Sequence, residues 1–150
     1  MELLITGYTS YTDLTGRDVA LYVKDSLLSK ALKPTILFES FVWCSIPLIN
    51  SDILLVGAIY RSPSSTRDQC VQLNSVLQQM ITKCYSHAMV MVDFNYPEIS
   101  WELQSASVSD NNPALTFSNC CKDPFLYQYV SQPTHFESQQ QANIIGSSYH

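Results

Sequence analysis

The chain has 150 residues, of which 46% are hydrophobic and 14% charged, with 8 Lys+Arg against 13 Asp+Glu for a net charge of -5. That length suits one domain with a real core. The acid excess excludes the basic footprint of a tight, independent nucleic-acid binder, although not a nuclease whose metal ion brings the positive charge.

The segment Val19-Ala20-Leu21-Tyr22-Val23 has strand composition and ends at Lys24-Asp25. Ser40 to Ile46 is a second strand, stopped by Pro47, and Ile53 to Tyr60 a third. The third is almost continuously apolar, so burial on both faces is expected. Asn50-Ser51-Asp52 reads as a turn that makes the second and third strands an antiparallel pair. Arg61 to Ser65 is a loop. A helix then starts near Thr66, whose hydroxyl can cap it, with Gln69 three residues on as in a capping box. Leu73, Val76, Leu77, Met80, Ile81 and Cys84 follow at spacings of three and four, one apolar stripe facing a core.

Ala88 to Val92 is a fourth strand, again expected to be buried throughout, and it delivers Asp93-Phe94-Asn95 into a loop. Ser105 to Asn112 is polar. Pro113 to Cys121 suits a short helix with Pro113 in its first turn, and Tyr127 to Val130 a last short strand. Ser138 to Gln141 reads as an exposed polar run. Apolar strands with polar residues at their ends describe an α/β fold whose site gathers on loops at one end of the sheet.

The low charged share, against roughly 25% in an average soluble domain, fits either a piece of a larger fold or a surface rich in Ser, Gln and Asn. Cys44, Cys70, Cys84, Cys120 and Cys121 are odd in number and lack a CxxC spacing, which reads as reduced, intracellular thiols buried as small hydrophobes. The start of the chain has no basic region followed by an apolar run, so no signal peptide is expected there. No apolar run reaches the roughly 18 residues of a membrane helix.

Asp93 and Asn95, two apart beyond a buried strand, are poor packing choices, since a buried carboxylate is costly unless paired. An Asp there can orient water or ligate a hard cation, and an Asn can orient a phosphate. An Asx-type turn after a strand is the alternative. If the helix from Thr66 leads into a parallel neighbour, Tyr60-Arg61 and Asp93 emerge at the same end of the sheet. A phenol, a guanidinium, a carboxylate and an amide then converge, a set suited to holding a phosphodiester and aiming water at it. Taken alone, Tyr60 reads more readily as a rim aromatic.

Five segments in order carry a resemblance: Val19 to Lys24, Glu39 to Cys44, Ile59-Tyr60-Arg61-Ser62-Pro63-Ser64-Ser65, Asp93-Phe94-Asn95-Tyr96-Pro97-Glu98-Ile99-Ser100-Trp101, and Tyr127 to Thr134. Together they resemble the apurinic-endonuclease-like domain of non-LTR retrotransposon reverse transcriptases, part of the endonuclease/exonuclease/phosphatase family, over about residues 7–145. The resemblance implies an α/β fold, a partial two-sheet sandwich of the DNase I type. It also implies phosphodiester hydrolysis of DNA with a divalent metal, usually Mg2+. In that reading Asp93 orients the attacking water, Asn95 places the phosphate, Tyr60 contacts the scissile phosphate, and Arg61 joins Asn95 in binding it.

The sequence departs from the family pattern at several points. The strands that carry an Asn and the metal-binding Glu precede the equivalent of Gly7-Tyr8, and Glu2 stands too close to replace the latter. Val92 replaces a Gly, and Thr15-Gly16-Arg17-Asp18 replaces a Gly-rich turn. The family's Asn-Ile-Leu-Asp reads Asn143-Ile144-Ile145-Gly146, and His150 follows too soon to be the family's final His. His87 and His135 fall on no family motif. The expectation is a domain over residues 1–145, truncated at both ends, with a divergent tail over 146–150. Such a domain would be a remnant, inactive alone, with no metal ligand set of its own, weak contact with DNA and self-association through an exposed sheet edge. The alternatives are an active Mg2+-dependent endonuclease completed by another chain, and a non-catalytic protein-interaction module on the same scaffold.

Overall fold

The computed structural model describes residues 5–14, 18–36, 38, 40–83, 85–96, 98–100, 105–106, 109–122, 127–128 and 146–149. Its strands are β1 (Tyr8–Thr12), β2 (Ala20–Lys24), β3 (Lys30–Leu32), β4 (Phe41–Pro47) and β5 (Ile53–Tyr60). Helix α1 (Arg67–Ile81) leads to β6 (His87–Asp93), β7 (Ile99–Ser100) and β8 (Ser105–Ala106). Helix α2 (Pro113–Lys122), β9 (Tyr127–Gln128) and β10 (Gly146–Tyr149) complete the order.

β4 and β5 are the antiparallel pair expected, joined through a short 3-10 turn at Ile49–Ser51. Asn50 and Ser51 adopt positive φ there, at 58° and 64°. Helix α1 then carries the chain to β6, which pairs with β5 in parallel. The six-stranded sheet runs β3-β4-β5-β6-β10-β9, while β1 and β2 form a separate antiparallel hairpin and β7 pairs with β8.

The helix begins where its sequence places it. The Gln69 backbone N–H donates to Thr66 Oγ1 at 3.3 Å, and the Thr66 N–H donates to Gln69 Oε1 at 2.8 Å, closing a capping box. Leu73, Val76, Leu77 and Met80 are buried and Ile81 partly so. Helix α2 starts at Pro113, with Asn112 Oδ1 accepting from the Ala114 N–H at 2.9 Å.

Two clusters divide the core by sheet face. Leu55 and Ile59 of β5, Ala88, Val90 and Val92 of β6 and Trp43 of β4 pack with the buried residues of α1 and α2. On the other face Cys44, Ile46 and Val56 pack with Val23 of the hairpin, and Tyr11, Leu21, Leu54 and Met91 lie against them. The layers are therefore hairpin, six-stranded sheet and helix pair. Gly57 sits under the Trp43 ring, where any Cβ would overlap the six-membered ring, so the largest core side chain requires the smallest residue opposite it.

One expectation changes. β6 is not buried throughout: Ala88, Val90 and Val92 are buried, while Met89, Met91 and Asp93 are half-buried. The hairpin reaches across β4 and is only two strands wide, so the outer face of β6 has partial cover. Residues Gly146–Tyr149, from the segment set apart in sequence as a 146–150 tail, supply β10, which pairs with β6 and β9. Of the segment Tyr127 to Val130, the described strand spans Tyr127–Gln128. Glu2, Thr15 to Arg17, Glu39, Cys84, Trp101, Val130, His135, Ser138 to Gln141, Asn143 to Ile145 and His150 lie outside the described residues. Cys44, Cys70, Cys120 and Cys121 are buried thiols outside any disulfide, as expected of small hydrophobes.

Candidate active site at the strand ends

Parallel pairing sets Tyr60 opposite Asp93 in register at the C-terminal ends of β5 and β6. Along β5 the odd-numbered positions face the helices, and along β6 the even-numbered ones do. Tyr60 and Asp93 therefore share the opposite face, toward the hairpin, by strand alternation. Both are half-buried, so the phenol and the carboxylate stand at the rim of the interlayer space.

The chain leaving each strand is clasped to the other. The Arg61 N–H donates to the Asp93 carbonyl at 2.9 Å. Asn95 Nδ2 donates to the Arg61 carbonyl at 2.7 Å, and Arg61 Nη1 donates to the carbonyls of Phe94 and Asn95 at 3.1 and 3.0 Å. Asn95 makes this exchange from a left-handed backbone, φ 50°, a conformation Asn tolerates better than most residues. The clasp is thus built from the same residues that the sequence offers for chemistry.

The Arg61 side chain turns inward from the strand ends. Its side chain is buried, its Nε donates to Cys70 Sγ at 3.4 Å, and its guanidinium carbon lies 4.0 Å from the Tyr96 ring centroid. The planar cation is desolvated by an aromatic face and satisfied by backbone carbonyls. It faces inward because Phe94 and Tyr96 bury themselves on Phe117 of α2, at ring centroid distances of 4.0 and 5.1 Å. Arg61 here positions Asn95.

Tyr96 is the site residue that sequence reasoning missed. Its hydroxyl is buried without a hydrogen-bond partner among the described residues. Burial raises its pKa well above the ordinary range, with the Cys70 thiol adding to the rise and the Arg61 charge opposing it. The available signal was the alternation Phe94-Asn95-Tyr96, which continues the period of a strand past its polar end.

Beside Tyr60 opens a cleft of about 420 Å³, walled by Asp18, Ser40, the serines of the 62–65 loop, Gln69 and Gln72. Asp93 and Asn95 do not line it. Among the described residues no group of three or more His, Cys, Asp or Glu gathers to hold a metal ion, and Asp93 is the only acid in the Tyr60-to-Asn95 constellation. The residue of β10 that pairs with Val92, next to Asp93, is Gly146, which has no side chain to add a ligand.

A sheet with helices on one face, a β-hairpin on the other and polar residues gathered at its strand ends is the architecture of the DNase I-like α/β sandwich. The fold is similar to the endonuclease domain of TRAS1, a telomere-specific non-LTR retrotransposon, with a TM-score of 0.60 at 11% identity, covering 97% of this chain and 67% of that one. The family model described as endonuclease-reverse transcriptase matches residues 54–147, and the chain belongs to that family. No curated protein matches it.

Proposed function

We propose that the chain is the endonuclease part of a retroelement protein, that its strand ends hold a phosphodiester, and that it does not hydrolyse DNA by itself. The observation that carries the reading is the register of Tyr60 with Asp93, with Asn95 locked beside them by Arg61. Tyr60 contacts the phosphate, Asn95 orients it, and Asp93 stands where a water would be aimed. Of the phosphate-binding pair expected in sequence, Asn95 keeps a direct role, and Arg61 acts through it.

The family resemblance implies Mg2+, which would polarise the phosphate and supply an activated water. Mg2+ is commonly held by one or two carboxylates together with substrate phosphates and waters. Asp93 is one such carboxylate, but no group of three or more possible ligands gathers around it among the described residues. They do not make a resident cation site, and residues that act as a unit lose rate together when one is gone. DNA is the partner implied by the family. With a net charge of -5, attachment to it is weak, because affinity for the backbone comes from released counterions.

Nicking of supercoiled and of abasic plasmid, with Mg2+ and with EDTA, tests this reading. No metal-dependent nicking from folded protein is the expected result. Metal-dependent nicking that Asp93→Ala abolishes would overturn the inactivity and keep the site. Nicking that survives Asp93→Ala would overturn the site. Self-association would use β3 at one margin of the six-stranded sheet, or the hairpin. A sedimentation coefficient that rises with concentration would show it, and one that stays constant would exclude it.

A further inference from the structure

The cleft beside Tyr60 is polar, and among the described residues its walls bring one carboxylate and no cation. A phosphate-binding surface has the opposite sign. Arg61, next to Tyr60 in sequence, is buried on Tyr96 instead of opening into it. What the walls do bring is a dense set of neutral hydrogen-bonding groups, and the aromatic residues Tyr60 and Phe38 also line the cleft.

The carboxylate is held in place. Ser40 Oγ donates to Asp18 Oδ2 at 2.9 Å. The backbone N–H groups of Asp18 and Val19 both donate to Asp13 Oδ2 at 3.2 Å, and Asp13 is itself buried. Gln69 and Gln72 also line the cleft and stand three residues apart on α1, so their carboxamides occupy one side of the helix. Gln69 is further fixed by its capping bond to Thr66. A held carboxylate acceptor, two carboxamides and two aromatic residues lining one cleft are chemistry that reads the edge of a nucleobase.

We infer that this cleft is a nucleoside subsite. Resting on the reading that Tyr60 touches a backbone phosphate, the cleft takes the base and sugar of a neighbouring nucleotide in the same strand. Asp18 Oδ1 accepts from an exocyclic amino group, and the Gln69 and Gln72 carboxamides meet the rest of the edge. The subsite therefore favours cytosine and adenine over thymine, whose edge has no amino donor.

Amide NMR of the full chain tests the inference with free cytidine, adenosine and thymidine, and separately with a short single-stranded oligonucleotide. Cytidine and adenosine are expected to shift the resonances of Ser40 and of residues 62–72, and thymidine to bind about tenfold more weakly. Asp18→Asn should erase that preference, Gln72→Ala should weaken cytidine and adenosine, and Asp93→Ala should leave all three unchanged. The inference is overturned if no nucleoside shifts the cleft, if thymidine binds as well as cytidine, or if the shifts centre on Asp93 to Tyr96. An oligonucleotide that shifts Tyr60 and Asn95 while free nucleosides leave the cleft silent sinks the subsite and spares the phosphodiester reading. Nucleosides that bind the cleft while the oligonucleotide leaves Asp93 and Asn95 unmoved do the reverse.

Discussion

Asn95 serves the site through its backbone as much as through its amide. Its positive φ turns the chain, and its Nδ2 closes the clasp onto the Arg61 carbonyl. The two roles separate by substitution. Asn95→Gly keeps the turn and loses one hydrogen bond, at about 1 kcal/mol. Asn95→Ala loses both and costs more, because a Cβ without a local partner disfavours the left-handed region. Arg61→Met strands two carbonyls and removes the cation from Tyr96, at about 2 to 4 kcal/mol. Urea unfolding midpoints should fall in the order Gly, Ala, Met, and an Arg61→Met protein as stable as wild type would show that the clasp contributes nothing. Gly57→Ala is a second residue-scale case. The added methyl overlaps the Trp43 ring between strands that cannot separate, so the loss should reach about 3 kcal/mol or more. Cys44 gives a pH signature. It is fully buried, and burial raises its pKa from 9.0 to about 11. A group whose folded pKa is raised supports the fold below its unfolded value and withdraws that support as pH climbs to the folded one. Melting temperature should therefore drop between pH 9 and about 11, and Cys44→Ala should flatten that part of the curve.

Among the elements, α1 and β5 were the most legible in sequence, and for local reasons. Thr66 and Gln69 complete their capping box within four residues, and β5 spans Ile53–Tyr60 as its apolar run predicts. Thr66→Ala should lower stability by about 1 kcal/mol in thermal unfolding. No change would mean that α1 is held by its buried face alone. The strands that escaped notice are those whose pairing is decided elsewhere. Lys30-Ala31-Leu32 has no strand signature and pairs because β4 offers it an edge. Gly146-Ser147-Ser148-Tyr149 is a polar run with a Gly at its head, made a strand by the open side of β6. The site divides the same way. Tyr60 and Asp93 could be matched from sequence because a strand-helix-strand unit fixes both ends of the sheet. The inward turn of Arg61 could not, since it depends on Tyr96 settling against Phe117, a contact between α2 and a loop that no local spacing encodes.

The whole molecule sets sheet and helices in ordinary proportion and covers the far face of the sheet with a hairpin of two strands. Its charge of -5 and the inward-facing Arg61 predict feeble attachment to DNA, at the weak end of the roughly 10⁻⁴ to 10⁻⁶ M typical of non-specific binding. Fluorescence anisotropy with a duplex probe at physiological salt would measure it, and a nanomolar Kd would reveal a basic surface that the net charge conceals. The clasp at the strand ends also bears on how chains of this kind are recognised. Arg61 and Asn95 stand inside the most telling segments of the sequence, yet the bonds they make here hold two loops in shape. A descendant that had given up cutting DNA but still needed to fold would lose stability by changing the same letters. Pattern matching across these positions traces lineage faithfully and stays silent about competence.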